Sequence, residues 1–211
     1  MVELVLIRHG EVETRWKSIC YGAMDVALSE SGRQASRKLA VRFAQQNPPR
    51  SIFHSDLSRT RFLAGQMIEA SRVKIPVVAD SRLRERDYGQ WQGITWDAAY
   101  ASDPEHFQDL IDRPDTYRPP DGETTSEMQN RIVAWYQETV AHFEKDSDAT
   151  IVAISHSGPI AALAGWLTGT PANQWAPWML KPLEWLTVQM TNAEPVLTRS
   201  VASDLSKSFD S

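Results

Sequence analysis

Short apolar runs recur along the chain, each cut off by polar or charged residues. Val2-Glu3-Leu4-Val5-Leu6-Ile7 is nearly all apolar and rich in β-branched side chains, the pattern of a strand covered on both faces. Thr150-Ile151-Val152-Ala153-Ile154-Ser155 is a second such run, and the shorter Ser51-Ile52-Phe53-His54 lies between two helical patterns. The first helical pattern begins near Ser29, which suits an N-cap, and carries Ala35, Leu39 and Phe43 at four-residue spacing until Asn47-Pro48-Pro49 ends it. The second starts at Ser55-Asp56 and carries Leu57, Leu63, Met67 and Ile68, running to about Ser71. Further strands are predicted around Val77-Val78-Ala79, near Leu186-Thr187-Val188-Gln189-Met190 and near Pro195-Val196-Leu197-Thr198.

Between these elements the stretch from Leu83 to Pro120 mixes glycines, prolines and aromatics, and it reads as an insertion with only short helical segments. Thr124-Thr125-Ser126-Glu127 then matches a capping box, and Met128, Ile132, Trp135, Tyr136 and Phe143 suit one long amphipathic helix. A further helix is predicted from about Pro159 to Leu167. Alternating strands and helices predict an α/β fold, a three-layer sandwich with a mostly parallel central sheet. Residues 1–199 are expected to form a single domain, with 83–120 as the insertion and 200–211 as a polar tail without a packed core.

Charge and cysteine usage narrow the functional classes. A formal net charge of −5 leaves no basic surplus for a nucleic-acid backbone. The single cysteine, Cys20, cannot form an internal disulfide, and no Cys/His cluster has zinc-ligand spacing. A reducing, cytoplasmic setting is expected, with no metal, no other cofactor and no nucleic-acid partner. The apolar run at the start, about six residues long, is far too short for a signal-peptide core or a membrane span.

Candidate chemistry gathers just past three strands. Arg8 and His9 follow the first, Arg59 the second and His156 the last. In an open parallel sheet, ligands bind outside the carboxyl ends of the strands. Arg59 also falls in the first turn of the helix predicted from Ser55, where free N–H groups and the helix dipole favour an anion. Two arginines and two histidines so placed make an anion site with titratable nitrogens. Any one of them, taken alone, reads equally as a capping or packing residue; their coincidence at three strand ends points to function.

These residues also carry a family resemblance. Leu6-Ile7-Arg8-His9-Gly10-Glu11 resembles the signature of the histidine phosphatase superfamily, the phosphoglycerate mutase-like fold. The likeness continues through Leu28-Ser29-Glu30-Ser31-Gly32, Ser55-Asp56-Leu57-Ser58-Arg59, Leu83-Arg84-Glu85-Arg86-Asp87-Tyr88-Gly89, Asp121-Gly122-Glu123-Thr124 and Ser155-His156-Ser157-Gly158. It implies that His9 is the nucleophile that accepts a phosphoryl group, with Arg8, Arg59 and His156 as the phosphate pocket. It implies further that Glu85 protonates the leaving alcohol and later activates water. Tyr21, Gly22 and Ser157 fall at substrate-binding positions of the resemblance, and the stretch around Tyr21-Gly22-Ala23-Met24-Asp25 is similar to the branch that includes α-ribazole phosphatases and broad-specificity phosphatases. A small phosphomonoester is the implied substrate.

The pattern departs from the family at three places. Arg15 stands where relatives often have a phosphate-binding Asn, and it either binds phosphate or points outward. Ser157 replaces the first Gly of the usual His-Gly-Gly, and His54 stands where a Ser usually precedes Ser-Asp-Leu. Arg61 reads as a solvated charge. Trp91 and Trp96 could line the substrate mouth and Trp135 or Trp166 the core. Phosphatase is expected over phosphoglycerate mutase, because the insertion and the polar tail look too slight for the longer insertion and lid implied for mutases. A catalytically silent module that binds a phosphorylated ligand or a protein is the alternative of another class, and release of phosphate from p-nitrophenyl phosphate separates it.

Overall fold

The computed structural model describes residues 2–46, 48–139, 149–189 and 195–201. Phe143, Met190 and most of the polar tail, 202–211, lie outside the described residues. In chain order the elements are β1 (Glu3–Arg8), α1 (Glu30–Gln46), β2 (Ser51–His54), α2 (Ser58–Ala70) and β3 (Val77–Ala79). They continue with α3 (Trp96–Ser102), α4 (Pro104–Asp112), α5 (Thr125–Thr139), β4 (Thr150–Ser155), α6 (Ser157–Thr168), β5 (Trp185–Gln189) and β6 (Val196–Ser200).

The described strands form one sheet in the order β3-β2-β4-β1-β5-β6. β3, β2, β4 and β1 run parallel to one another, whereas β5 is antiparallel to both β1 and β6. The apolar runs mark the middle of this sheet because strands covered on both faces have no polar side to show. Alternate residues serve opposite layers. Leu4, Leu6, Ile151 and Ala153 pack with Met128, Ile132 and Trp135 of α5 and with Ile160 to Ala164 of α6. Val5, Ile7, Val152 and Ile154 pack with Leu39 of α1 and with Leu63, Ala64 and Met67 of α2. The expected three-layer α/β sandwich is therefore the observed one.

Local departures have local causes. α2 begins at Ser58, three residues after the expected start, because Asp25 reaches over to accept hydrogen bonds from Ser58 N–H at 2.8 Å and from its hydroxyl at 2.6 Å. That tertiary cap fixes where the helix can start. Ile68 is 41% exposed and Ala35 is exposed, so neither belongs to the buried stripe of its helix. On α1 the inward positions are instead Gly32, Ser36, Leu39 and Ala40. The small residues allow α1 to press on the loop after β1: a Cβ at Gly32 would lie 2.1 Å from the Glu11 carbonyl oxygen, and one at Gly10 would lie 2.7 Å from Ser36 Oγ.

The capping box opens α5 as expected. Thr124 Oγ1 accepts from Glu127 N–H at 3.0 Å, and the Glu127 carboxylate accepts from Thr124 N–H at 2.8 Å. Ser29 caps α1 by accepting from Gly32 N–H at 3.0 Å. The insertion builds its own small core, in which Cys20, Trp91, Ala99 and Tyr117 are buried with Tyr88, Trp96 and Phe107 against them. Trp91 and Trp96 thus pack within the insertion, and Trp166, at 41% exposure, is not a core residue, whereas Trp135 is fully buried. Among the described residues, no helix is long and apolar enough to cross a membrane.

Candidate active site

Register brings the two histidines together. In the parallel β1–β4 pair Arg8 lies opposite Ser155, so the next residues along, His9 and His156, leave the sheet side by side. His9 N–H donates to Ser155 O at 3.1 Å, and the two ring centroids are 5.0 Å apart with the planes at 63°. β2 flanks β4 on its other side and delivers Arg59 through the start of α2. Arg59, His156 and His9 consequently form a row across three adjacent strand ends.

His9 is 2% exposed, and its Nδ1 lies 2.7 Å from the Gly10 carbonyl oxygen. A carbonyl only accepts, so Nδ1 carries the proton and Nε2 keeps its lone pair. Burial, reinforced by the charges of Arg59 and Arg8, holds the imidazole well below its ordinary value of 6.5. His9 is therefore a neutral imidazole at neutral pH, with cations beside it that suit an incoming anion. His156 is fully buried and is lowered well below 6.5 in the same way, by burial first and by Arg59 next.

The arginines are held in different ways. Arg59 is fully buried, its Nη2 donates to Gly22 O at 2.8 Å, its Nη1 donates to Met24 O, and its guanidinium carbon lies 5.4 Å from the Tyr21 ring centroid. The loop of Tyr21 and Gly22 therefore wraps this cation. Arg8 donates through Nη1 to the Leu180 carbonyl, while its buried Nε has no partner among the described residues. A guanidinium N–H of that kind is suited to a phosphoryl oxygen. The anion expected at the first turn of α2 turns out to be the protein's own Asp25 carboxylate, which occupies Ser58 N–H.

Glu85 arrives from the segment after β3. One carboxylate oxygen accepts from Arg86 N–H at 3.0 Å and the other from Gly158 N–H at 3.4 Å, in the first turn of α6. Glycine at position 158 leaves room for this contact, since a Cβ there would lie 2.3 Å from Glu85 Oε1 and push the carboxylate aside. The backbone that carries Glu85 is itself clamped by a residue outside the expected set. Arg131 on α5 donates to the carbonyls of Arg82 and Arg84 at 2.7 Å each and of Glu85 at 3.1 Å. It also holds both oxygens of Glu123, whose Oε1 accepts from Asp87 N–H at 2.9 Å. Sequence spacing offered no signal for Arg131, although Glu123 lies in a block that did stand out.

Other expected residues sit away from the row. Arg15 points outward and pairs with Glu13 at 2.8 Å, its side chain 70% exposed. Ser157 turns its hydroxyl to the Leu180 carbonyl at 3.2 Å, sharing that acceptor with Arg8. Arg61 is exposed. Among the described residues, no group of three or more His, Cys, Asp or Glu side chains could hold a metal ion.

A buried imidazole with a free lone pair, flanked by guanidinium groups and with the Glu85 carboxylate held at the nearby start of α6, is equipped to receive a phosphoryl group. Known proteins share the sequence pattern and the fold. Residues 4–202 match the family model described as "Histidine phosphatase superfamily (branch 1)". The chain is 34% identical over 178 residues to glucosyl-3-phosphoglycerate phosphatase of Mycolicibacterium vanbaalenii, covering 82% of this chain and 76% of that one. It is 31% identical over 162 residues to phosphoglycerate mutase-like protein 4 of Arabidopsis thaliana, covering 76% and 69%. The solved structure of YhfR from Bacillus stearothermophilus superposes with a TM-score of 0.85 at 26% identity, covering 97% of this chain and all of that one. Sequence match and shared fold agree with the strand-end geometry, and the chain belongs to the histidine phosphatase superfamily.

Proposed function

We propose that the protein hydrolyses small phosphomonoesters by way of a phosphohistidine on His9. The observation that carries this reading is the fixed tautomer of His9, whose Nδ1–H is committed to Gly10 O and whose Nε2 lone pair is free. In the first half-reaction Nε2 bonds to phosphorus as the ester P–O bond breaks, and the Glu85 carboxyl gives its proton to the leaving oxygen. In the second, Glu85 takes a proton from water, whose oxygen bonds to phosphorus as the P–N bond breaks. Arg8 and Arg59 hold the phosphoryl oxygens throughout, in the charge-balancing role that a metal ion has elsewhere, with His156 against the Arg59 guanidinium as part of the same pocket. Tyr21 and Gly22 border this pocket around Arg59, Ser157 follows His156 with its hydroxyl turned to Leu180, and Arg15 lies outside it.

The relative named as a glucosyl-3-phosphoglycerate phosphatase supports hydrolysis as the outcome, with a small phosphorylated metabolite as the substrate class. Phosphoglycerate mutase activity is the alternative, favoured by the name of the Arabidopsis relative. The same reading takes residues 1–199 as one catalytic domain with 83–120 as its insertion. It places the protein in the cytoplasm, independent of nucleic acid, on the single cysteine and the net charge of −5.

The test is direct. Rapid quench of the native enzyme during turnover of p-nitrophenyl phosphate should trap an acid-labile, base-stable phosphoenzyme, and His9→Ala should abolish both the adduct and phosphate release. Activity should survive exhaustive chelation. With 3-phosphoglycerate, inorganic phosphate should accumulate without 2-phosphoglycerate, even with a bisphosphoglycerate primer. Primer-dependent isomerisation that outpaces phosphate release would overturn the phosphatase reading in favour of the mutase.

A further inference from the structure

Two polar side chains of the catalytic row, Arg59 and His156, and two behind it, Ser55 and Thr60, are completely buried. Such groups are tolerated when each finds a partner, so the direction of every hydrogen bond among them can be worked out. Thr60 Oγ1 lies 2.5 Å from Ser55 O and 2.9 Å from Leu57 O, both carbonyls that only accept. The single Thr60 proton therefore goes to a carbonyl. Thr60 Oγ1 must then accept from Ser55 Oγ, 2.8 Å away. With its own proton committed, Ser55 Oγ can only accept from His156 Nε2, 2.9 Å away. His156 thus carries its proton on Nε2.

The other end of the ring gives the same answer independently. Arg59 Nε donates toward His156 Nδ1 at 3.3 Å, and a guanidinium never accepts, so Nδ1 must offer a lone pair. The two histidines consequently sit in opposite tautomers: Nδ1–H in His9 and Nε2–H in His156. We propose that Thr60 and Ser55 are positioning residues for His156, holding it in the Nε2–H tautomer so that its Nδ1 orients the Arg59 guanidinium. This rests on the phosphatase reading for its catalytic meaning, but the hydrogen-bond order stands on the buried geometry alone. Neither residue touches the phosphoryl group; each acts through His156.

Thr60→Val is the decisive variant. It keeps the shape of the side chain, removes the acceptor for the Ser55 proton, and frees that hydroxyl to turn and donate to His156 Nε2 instead. In protein labelled with ¹⁵N-histidine, at neutral pH and without ligand, native His156 should show a pyrrole-type Nε2 and a pyridine-type Nδ1. Thr60→Val should give a mixture of tautomers, with kcat/KM for p-nitrophenyl phosphate about tenfold lower, the size expected for one lost orienting hydrogen bond. Thr60→Ser should restore the single tautomer. A native His156 found protonated on Nδ1, or a Thr60→Val protein that keeps one unmixed Nε2–H tautomer, would overturn the proposal. Should Thr60→Val fail to fold, the native spectrum alone still decides the tautomer. Because that spectrum needs no turnover, a native protein without phosphatase activity would sink the function proposed above and leave this measurement intact.

Discussion

Beneath the site, at the strand ends, Ser55, Arg59, Thr60 and His156 retain no exposed surface, and their hydrogen bonds form a directed chain. In the insertion beside the site, the buried cluster is apolar and aromatic, Arg86 is a buried guanidinium bonded to Glu123 O, Thr125 Oγ1 and Tyr117 O, and ion pairs such as Arg113–Asp109 and Arg118–Glu127 lie at the surface. The first region tolerates little change, because removing one partner strands a buried polar group at full desolvation cost. The second is held by packing, which accepts substitutions of similar volume, and its exposed ion pairs contribute little. Under the proposed mechanism the phosphoryl chemistry is thereby anchored where the protein is least able to vary, and the insertion beside it is built where it can.

This contrast can be broken from either region. Arg59→Ala should lower kcat/KM by about 10³, the scale for losing a buried charge-assisted contact to the transition state, measured at saturating and limiting substrate. A loss confined to KM would mean that Arg59 serves uniform binding only. Trp91→Ala, in the insertion, should cost about 3 kcal/mol by urea unfolding yet change phosphoenzyme formation from p-nitrophenyl phosphate only a few-fold. Equal damage to stability and to that step would erase the distinction between the regions.

Glu85 joins the two, and its variants sharpen the boundary. Glu85→Gln should slow alkyl phosphates by about 10², while p-nitrophenyl phosphate, whose phenolate leaves with little help, suffers far less. Arg131→Met should show the same leaving-group bias at roughly a tenth of the size, since it acts by releasing the Glu85 backbone. A bias-free loss would assign Arg131 to stability alone.

The smallest effect is a pH dependence of stability. His9 and His156 both sit well below 6.5 in the folded protein, chiefly through burial. Above the unfolded value neither state binds the protons, so this contribution to stability is intact. As pH falls below about 6.5 the unfolded chain takes up both while the native protein does not. Stability should drop by roughly 1–2 kcal/mol by pH 6, in a window above the range where carboxylates titrate. His9→Gln should halve the loss, and a flat profile between pH 7 and 5.5 would show that the strand-end histidines are not sealed from water.

How much of this was legible in the chain depends on the range of each interaction. Apolar runs marked the central strands, and the Thr124–Glu127 box located the start of α5, because strand burial and helix capping are written in neighbouring residues. The start of α2 was misplaced because its cap comes from Asp25, 33 residues earlier. Ala35 looked like a core position because periodicity weighs hydrophobicity, whereas the face that meets Gly10 needs smallness and presents Gly32 and Ser36. His9, Arg59, Glu85 and His156 stood out through their motifs, whereas the support from Arg131, Ser55 and Thr60 depends on hydrogen-bond directions that only the fold defines.

Cys20, the only cysteine of the chain, lies in the insertion core with its side chain fully covered and its thiol pushed up to about 12 by burial. Thiolate is the reactive form, so a disulfide reagent at neutral pH meets almost none of it while the core is closed. Modification then proceeds through transient opening of the aromatic cluster, and with excess reagent its rate becomes the opening rate itself. The protein therefore carries a built-in clock for the insertion: the colour released on Cys20 labelling times how often the aromatic cluster of Trp91, Tyr117 and their neighbours comes apart.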